Sequence, residues 1–182
     1  MFLGIDQSLN ATGLCRLDKD GRVERHQTVD PGRLRDVARL AYVKQSLVPL
    51  LSPGVLFVAM EGYSYNSVGR VFELGEVGGV VRLLVHEHGL SYVVIPPVSL
   101  KKFATGNPSA EKEDMVEAAK RAGFDASDDN QADAFFLSQI ARCLHLKLTP
   151  PNRAQLEVLH CIHSPKPKKP ARRIRRLAKN SI

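Results

Sequence analysis

Phe2-Leu3-Gly4-Ile5-Asp6-Gln7-Ser8-Leu9-Asn10-Ala11-Thr12-Gly13-Leu14-Cys15-Arg16-Leu17 reads as two strands joined by a turn. Phe2 to Ser8 has the apolar continuity of a buried strand, Asn10 to Gly13 carries turn residues, and Thr12 to Leu17 is apolar again. Lys19-Asp20-Gly21 is a hairpin signal leading into a third strand from Arg22 to Val29. Three early strands on short links predict an antiparallel meander. The apolar run of the first, Phe2 to Ile5, ends in an acid, Asp6, and an acid at the end of a buried run is costly unless positive charge meets it.

Outward from the meander, helices and strands alternate. Leu34, Val37, Ala38, Leu40, Ala41, Val48 and Leu51 recur at helical spacing over 33–51, and Ser52-Pro53-Gly54 stops that helix. Val55 to Met60 is an unbroken apolar run, as in a central strand covered on both faces, and it too ends in an acid, Glu61. A loop of small and aromatic residues, Gly62 to Ser67, precedes a helix over 68–88 that keeps Gly75, Gly78 and Gly79. Each glycine weakens a helix by about 1 kcal/mol, so a close neighbour is expected there. Tyr92 to Ile95 is a short strand, Val98 to Ala104 a short helical piece, and Ser109 a candidate N-cap for a helix reaching Ala122. Asp129 to Leu146 is the last strong helix, and Pro150-Pro151 closes the compact region before a short helix and a tail. A meander followed by alternating elements predicts an α/β fold with a mixed sheet flanked by helices.

Four acids stand out. Asp6 and Glu61 end strands which, if paired side by side, bring their carboxylates together. Asp129 and Asp133 are four residues apart and share one helix face in the first turns, where the helix dipole favours negative charge. That dipole is too weak to hold four acids together, so cations are implied. Hard divalent ions take oxygen ligands and complete their shells with water and phosphate. Two such ions about 3.5–4 Å apart would serve phosphodiester hydrolysis. Asp128 and Asp129 both stand at the helix start. Asp128 suits the cap and Asp129 the ligand, because only Asp129 is spaced to share a face with Asp133.

The 182-residue length suits one domain with a sizeable core. No apolar run is long enough to span a membrane, and neither a secretory leader nor a lipid anchor is expected. Cys15, Cys143 and Cys161 lack metal-ligand spacing and read as buried free thiols of a reducing cytoplasm. The net charge of +7 is uneven: eight of the 26 bases and none of the 19 acids lie in 164–182. The body, 1–163, is thus near neutral, and the tail, with Arg172, Arg173, Arg175 and Arg176, suits a polyanion.

These motifs together resemble a known family. Gly4-Ile5-Asp6-Gln7-Ser8 through Gly13 resembles the opening strand and turn of RuvC-type Holliday junction resolvases. Ala59-Met60-Glu61 resembles their second acidic motif, and Leu74 to Val80 their glycine-containing helix. Ser99-Leu100-Lys101-Lys102-Phe103-Ala104-Thr105-Gly106 with Ser109 to Lys112 is similar to the basic segment, and Asp129 to Ala134 to the last acidic motif. The matches keep the family's order from residue 2 to about 146.

The resemblance implies an RNase H-like fold with a five-stranded mixed sheet, and a homodimer. It implies Mg²⁺-dependent paired nicking of four-way DNA junctions, in recombination and repair, in the cytoplasm of a bacterial or phage-infected cell. Asp6, Glu61 and Asp133 would be metal ligands with Asp129 the fourth, two Mg²⁺ per site, Mn²⁺ able to substitute. Lys101, Lys102 and Lys112 would meet DNA. Two positions depart from the family pattern. Asn130 stands where many members carry the fourth acid, and Ser64, between Tyr63 and Tyr65, stands where an aromatic wedge is usual. One of those tyrosines would stack on an unpaired base, or both pack the loop. No membrane and no nucleotide cofactor are expected: sugar kinases and actin-like ATPases open similarly but need two such domains. A broader branched-DNA or flap endonuclease and a non-catalytic nucleic-acid-binding protein of the same fold are the nearer alternatives.

Overall fold

The structure of the protein, a computed structural model, describes residues 1–51, 54–63 and 70–163. Strands β1 (Phe2–Asp6), β2 (Thr12–Leu17), β3 (Val23–Val29), β4 (Phe57–Glu61) and β5 (Tyr92–Ile95) form one sheet in the order β3-β2-β1-β4-β5. The β3-β2-β1 pairs are antiparallel and the β1-β4-β5 pairs parallel, which is the mixed sheet the sequence predicts. Helices α1 (Asp36–Leu51) and α2 (Val71–Glu87) cover one face. Helix α5 (Asp129–Leu146) covers the other, backed by α3 (Pro97–Thr105), α4 (Lys112–Arg121) and α6 (Arg153–His163).

Alternation along the strands decides which side chains meet α5. Leu3 and Ile5 of β1 and Val58 and Met60 of β4 belong to the core shared with α1 and α2. Phe2 and Ala59 belong to the opposite core, with Leu137 and Ile140 of α5. Gly4 and Asp6 therefore share the face of Phe2, and Glu61 that of Ala59. Two glycines let α5 lie directly on this face. A Cβ on Gly4 would collide with the backbone of Ala134 and Ser138, and one on Gly13 with the backbone of Asn130.

Several boundaries differ from the sequence reading. β1 stops at Asp6 rather than Ser8, because Ser8 turns the chain: its Oγ accepts hydrogen bonds from the amides of Asn10 (3.3 Å) and Ala11 (3.4 Å). Ser109 is not the N-cap of α4. That position belongs to Glu111, whose amide donates to Asp114 Oδ2 at 2.9 Å, while the Ser109 amide donates to Asn107 Oδ1. The helix with three glycines begins at Val71 among the described residues. Among the described residues only Gly78 has the close neighbour expected, the Tyr63 ring; nothing described lies within 4 Å of a Cβ at Gly75 or Gly79. All three cysteines are free, but Cys161 is exposed on α6 rather than buried.

Gly4→Ala should destabilise the fold by about 2 kcal/mol or more, because overpacking here meets backbone rather than a movable side chain. Gly79→Ala should instead stabilise the single chain by up to about 1 kcal/mol. Thermal denaturation of the two variants beside the parent checks this. A Gly4→Ala variant as stable as the parent would contradict the close seating of α5.

Candidate metal centre

Parallel pairing of β1 with β4 runs from Phe2↔Phe57 to Ile5↔Met60, so the next residues, Asp6 and Glu61, stand side by side. α5 lays its second turn over them and adds Asp133. Carboxylate oxygens of Asp6, Glu61 and Asp133 all lie within 4.8 Å of one another. They open into a cleft of about 370 Å³ whose lining also includes Asp129, Lys112 and Arg70. Three of the four acids singled out in the sequence thus converge, and the fourth borders the same cleft.

The charges are poorly compensated by the protein itself. Asp6 is buried. Burial, and then the neighbouring Glu61 and Asp129 carboxylates, push its pKa far above the ordinary range. Burial raises Glu61 to about 7, although a hydrogen bond shared with Asp6 works against the rise. Burial and the charges of Asp6 and Asp129 raise Asp133 to about 8. Asp133 Oδ1 is buried without a hydrogen-bond partner. An orphaned oxygen among like charges is the donor set that a hard divalent cation satisfies, so these residues fit a metal.

Lysines border the cluster. Lys112 makes an ion pair with Asp129, and the charge of Lys101 acts on Glu61 and Asp133. Lys102 instead binds Glu157 of α6 at 2.7 Å. Asp128 is committed to capping: its Oδ1 accepts from the Gln131 amide at 2.7 Å and its Oδ2 from the Thr28 hydroxyl at 2.7 Å. That leaves Asp129 as the acid at the cleft.

Tyr63 packs on Gly78, its hydroxyl donates to the Gly75 carbonyl at 3.3 Å and accepts from Arg82, and the Arg82 guanidinium lies 5.0 Å from its ring centre. Tyr63 itself therefore packs against α2. Tyr65, Arg172, Arg173, Arg175 and Arg176 lie outside the described residues.

The sequence reading missed two residues here. Gln7 is buried, and its Nε2 donates to the Glu61 carbonyl at 3.0 Å, extending the β1-β4 ladder one step past its last backbone pair. A polar residue directly after Asp6 was the only available hint. Arg70 reaches the cleft from the start of α2, tied at 3.4 Å to Glu73, which the buried Arg39 also grips at 3.0 Å.

The raised carboxyls have a thermodynamic consequence. Without metal, Glu61 and Asp133 hold protons in the folded chain up to about pH 7 and 8, whereas in the unfolded chain they release them near pH 4. The folded state thus binds more protons across that window, and stability falls as pH rises through it. Melting temperature in chelator should be lower at pH 8.5 than at pH 5.5, and divalent ion should restore it. Asp133→Asn should flatten the dependence. Each kcal/mol corresponds to about 2–4 °C at this size. Equal melting temperatures at the two pH values in chelator would contradict a close, desolvated cluster.

No family model matches the chain. A RuvC crossover junction endodeoxyribonuclease from Gloeobacter violaceus is 32% identical over 87 residues, 46% of this chain and 49% of that protein. The match thus spans about half of the relative's length. The solved structure of Thermus thermophilus RuvC superposes with a TM-score of 0.62 at 18% identity, covering 75% of this chain and 88% of that one. The same protein in complex with a Holliday junction substrate superposes equally well. The chain thus shares the fold of a solved RuvC structure and, over about half its length, sequence similarity with a RuvC relative.

Proposed function

We propose that the protein is a structure-selective endodeoxyribonuclease that resolves four-way DNA junctions by paired symmetric nicks. The observation that carries this is the convergence of Asp6, Glu61 and Asp133 within 4.8 Å on a RuvC-like fold. Those three, with Asp129, would hold two Mg²⁺ ions, and Mn²⁺ suits the same oxygens. Bound divalent ions supply a nucleophilic water at neutral pH and offset charge on the phosphate and its leaving oxygen. Asp6, the most buried of the acids, stands between Glu61 and the α5 acids and is the ligand least open to replacement.

The chain's own residues do the rest. Gln7 keeps the Glu61 backbone against β1. Lys101 and Lys112 place positive charge at the cleft, where it favours a phosphate approaching four acids. Lys112, paired with Asp129 in the structure, would be placed to meet the phosphate. The nicks leave 5′-phosphate and 3′-hydroxyl ends. A non-catalytic binding protein would have no need of three converging acids.

A junction with two-fold symmetry calls for two equivalent sites, which an isologous dimer provides. Helix α2 carries the face for it. Phe72 and Leu83 are exposed, Phe72 at 90%, and with Gly75 and Gly79 they follow one another at helical spacing. The glycines leave open space above the backbone for a second copy of the helix. The basic tail beyond 163 adds nonspecific grip on the DNA backbone.

Asp6→Asn should bind a synthetic four-way junction like the parent yet cut it at least about a hundredfold more slowly in Mg²⁺, the scale of losing a stabilising group at a reacting centre. Junction, flap and duplex substrates in one cleavage panel separate a resolvase from a broader branched-DNA nuclease. Cleavage by Asp6→Asn at the parent's rate would refute the assignment. Removing 164–182 should lower the salt dependence of junction binding, by about 0.9 in the log–log slope for each phosphate that the tail neutralises. Binding measured from low to high salt checks it, and an unaltered slope would give the tail another task.

A further inference from the structure

We infer that Thr28 and Gln131, assisted by His26, are positioning residues for the acids of α5, an inference that rests on the metal-centre reading above. None of the three lines the acidic cleft, yet they join the edge strand β3 to the helix turn that delivers Asp129 and Asp133. The link is one continuous chain of hydrogen bonds. His26 Nδ1 lies 3.0 Å from Gln131 Oε1, which also accepts from the Ser127 amide at 3.5 Å. Gln131 Nε2 donates to Thr28 Oγ at 3.1 Å, and the Thr28 hydroxyl donates to Asp128 Oδ2 at 2.7 Å. The Gln131 amide closes the loop on Asp128 Oδ1. Gln131 is 7% exposed.

Sheet register shows why this chain matters for the acids. Thr28 pairs with Gly13, and Gly13 pairs with Asp6. Directly paired residues project from the same face, so Thr28, Gly13 and Asp6 form one row running toward Glu61. The start of α5 lies along that row. Asp128 and Gln131 rest on Thr28, the Asn130 backbone rests on Gly13, and Asp133 stands by Asp6 and Glu61. One end of the helix start is thus held by hydrogen bonds, while the other faces like charges that repel it. With Gly13 offering no side chain to grip, the Thr28 contact sets the rotation and height of the turn carrying Asp129 and Asp133. Both oxygens of Asp128 are engaged in these bonds, away from the acidic cleft.

Thr28→Val keeps the shape of the side chain and deletes the hydroxyl; Thr28→Ser keeps the hydroxyl. His26→Phe preserves ring packing on Phe124, now an edge-on contact at 5.1 Å, and removes only the Nδ1 hydrogen bond. Mn²⁺ affinity of the full chain is measured by calorimetry, with junction binding in chelator and single-turnover cleavage alongside. Thr28→Val should weaken Mn²⁺ binding about three- to tenfold, the range expected for removing one hydrogen bond. It should slow cleavage by a similar factor and leave junction binding in chelator unchanged. Thr28→Ser should restore both, and His26→Phe should show a smaller loss in the same direction. If Thr28→Val lowers only the melting temperature, with Mn²⁺ affinity and cleavage at parent values, the residues are structural and the inference fails. If Thr28→Val does not fold, His26→Phe decides alone, and parent-level Mn²⁺ affinity there overturns the inference. If the parent itself binds no Mn²⁺, the metal-centre reading fails instead.

Discussion

The site depends first on how closely one helix lies on one sheet. Asp6 and Glu61 come together through strand pairing alone, but two strand-end acids are only part of a metal site. The other part arrives on α5, and it arrives because Gly4 and Gly13 present bare backbone where any side chain would collide with Ala134, Ser138 or Asn130. Side chains at these two positions would meet helix backbone that cannot move aside, and would lift α5 off the sheet. At that height Asp133 would no longer reach Asp6. The two glycines of the opening hairpin are thus as much a part of the site as the acids.

The second constraint is electrostatic and works against the first. Bringing Asp6, Glu61 and Asp133 within 4.8 Å opposes like charges in a partly desolvated place, and the upward-shifted carboxyls register the strain. The helix dipole at the start of α5 offers at most about 1–2 kcal/mol, too little to offset several unpaired charges. Lys112 is largely exposed and makes its ion pair with Asp129, so its charge offsets Asp6 and Asp133 only weakly. The fold therefore tolerates the cluster by two routes, protonation or a bound cation. Only the second leaves the carboxylates ionised at neutral pH, as metal ligation requires.

Much of this was legible in the sequence, and what was not has identifiable causes. Strand-ending acids at Asp6 and Glu61 and the four-residue spacing of Asp129 and Asp133 show directly, because alternation and helical period are local properties. The division of labour between Asp128 and Asp129 follows the same spacing, and the bonds of Asp128 to Thr28 and Gln131 give it a physical basis. The roles of Gly4 and Gly13 are invisible locally, since each serves a helix more than a hundred residues away. Gln7, Thr28 and His26 are hidden for the same reason: their partners lie 54, 100 and 105 residues distant. The misplaced N-cap at Ser109 is a different kind of error. Two capping-competent segments lie close together, and propensity favours serine, but Asp114 reaches back to the Glu111 amide and settles the helix start there.

Helix α2 joins the site to the dimer reading. Its glycines do not share one purpose. Gly78 faces inward and receives the Tyr63 ring, while among the described residues nothing crowds Gly75 and Gly79 beside exposed Phe72 and Leu83. Three glycines lower intrinsic helix stability by about 3 kcal/mol in sum, and among the described residues only Gly78 gains a packing partner in return. The Arg39–Glu73–Arg70 bridge fastens the N-terminal end of the same helix to α1, so its outer stripe is presented on a rigid element. A helix that seats a loop residue of the acidic cleft on its inner side, and a twin of itself on its outer side, would hold two such clefts in fixed relation. The proposed paired nicking of a symmetric junction would call for that arrangement.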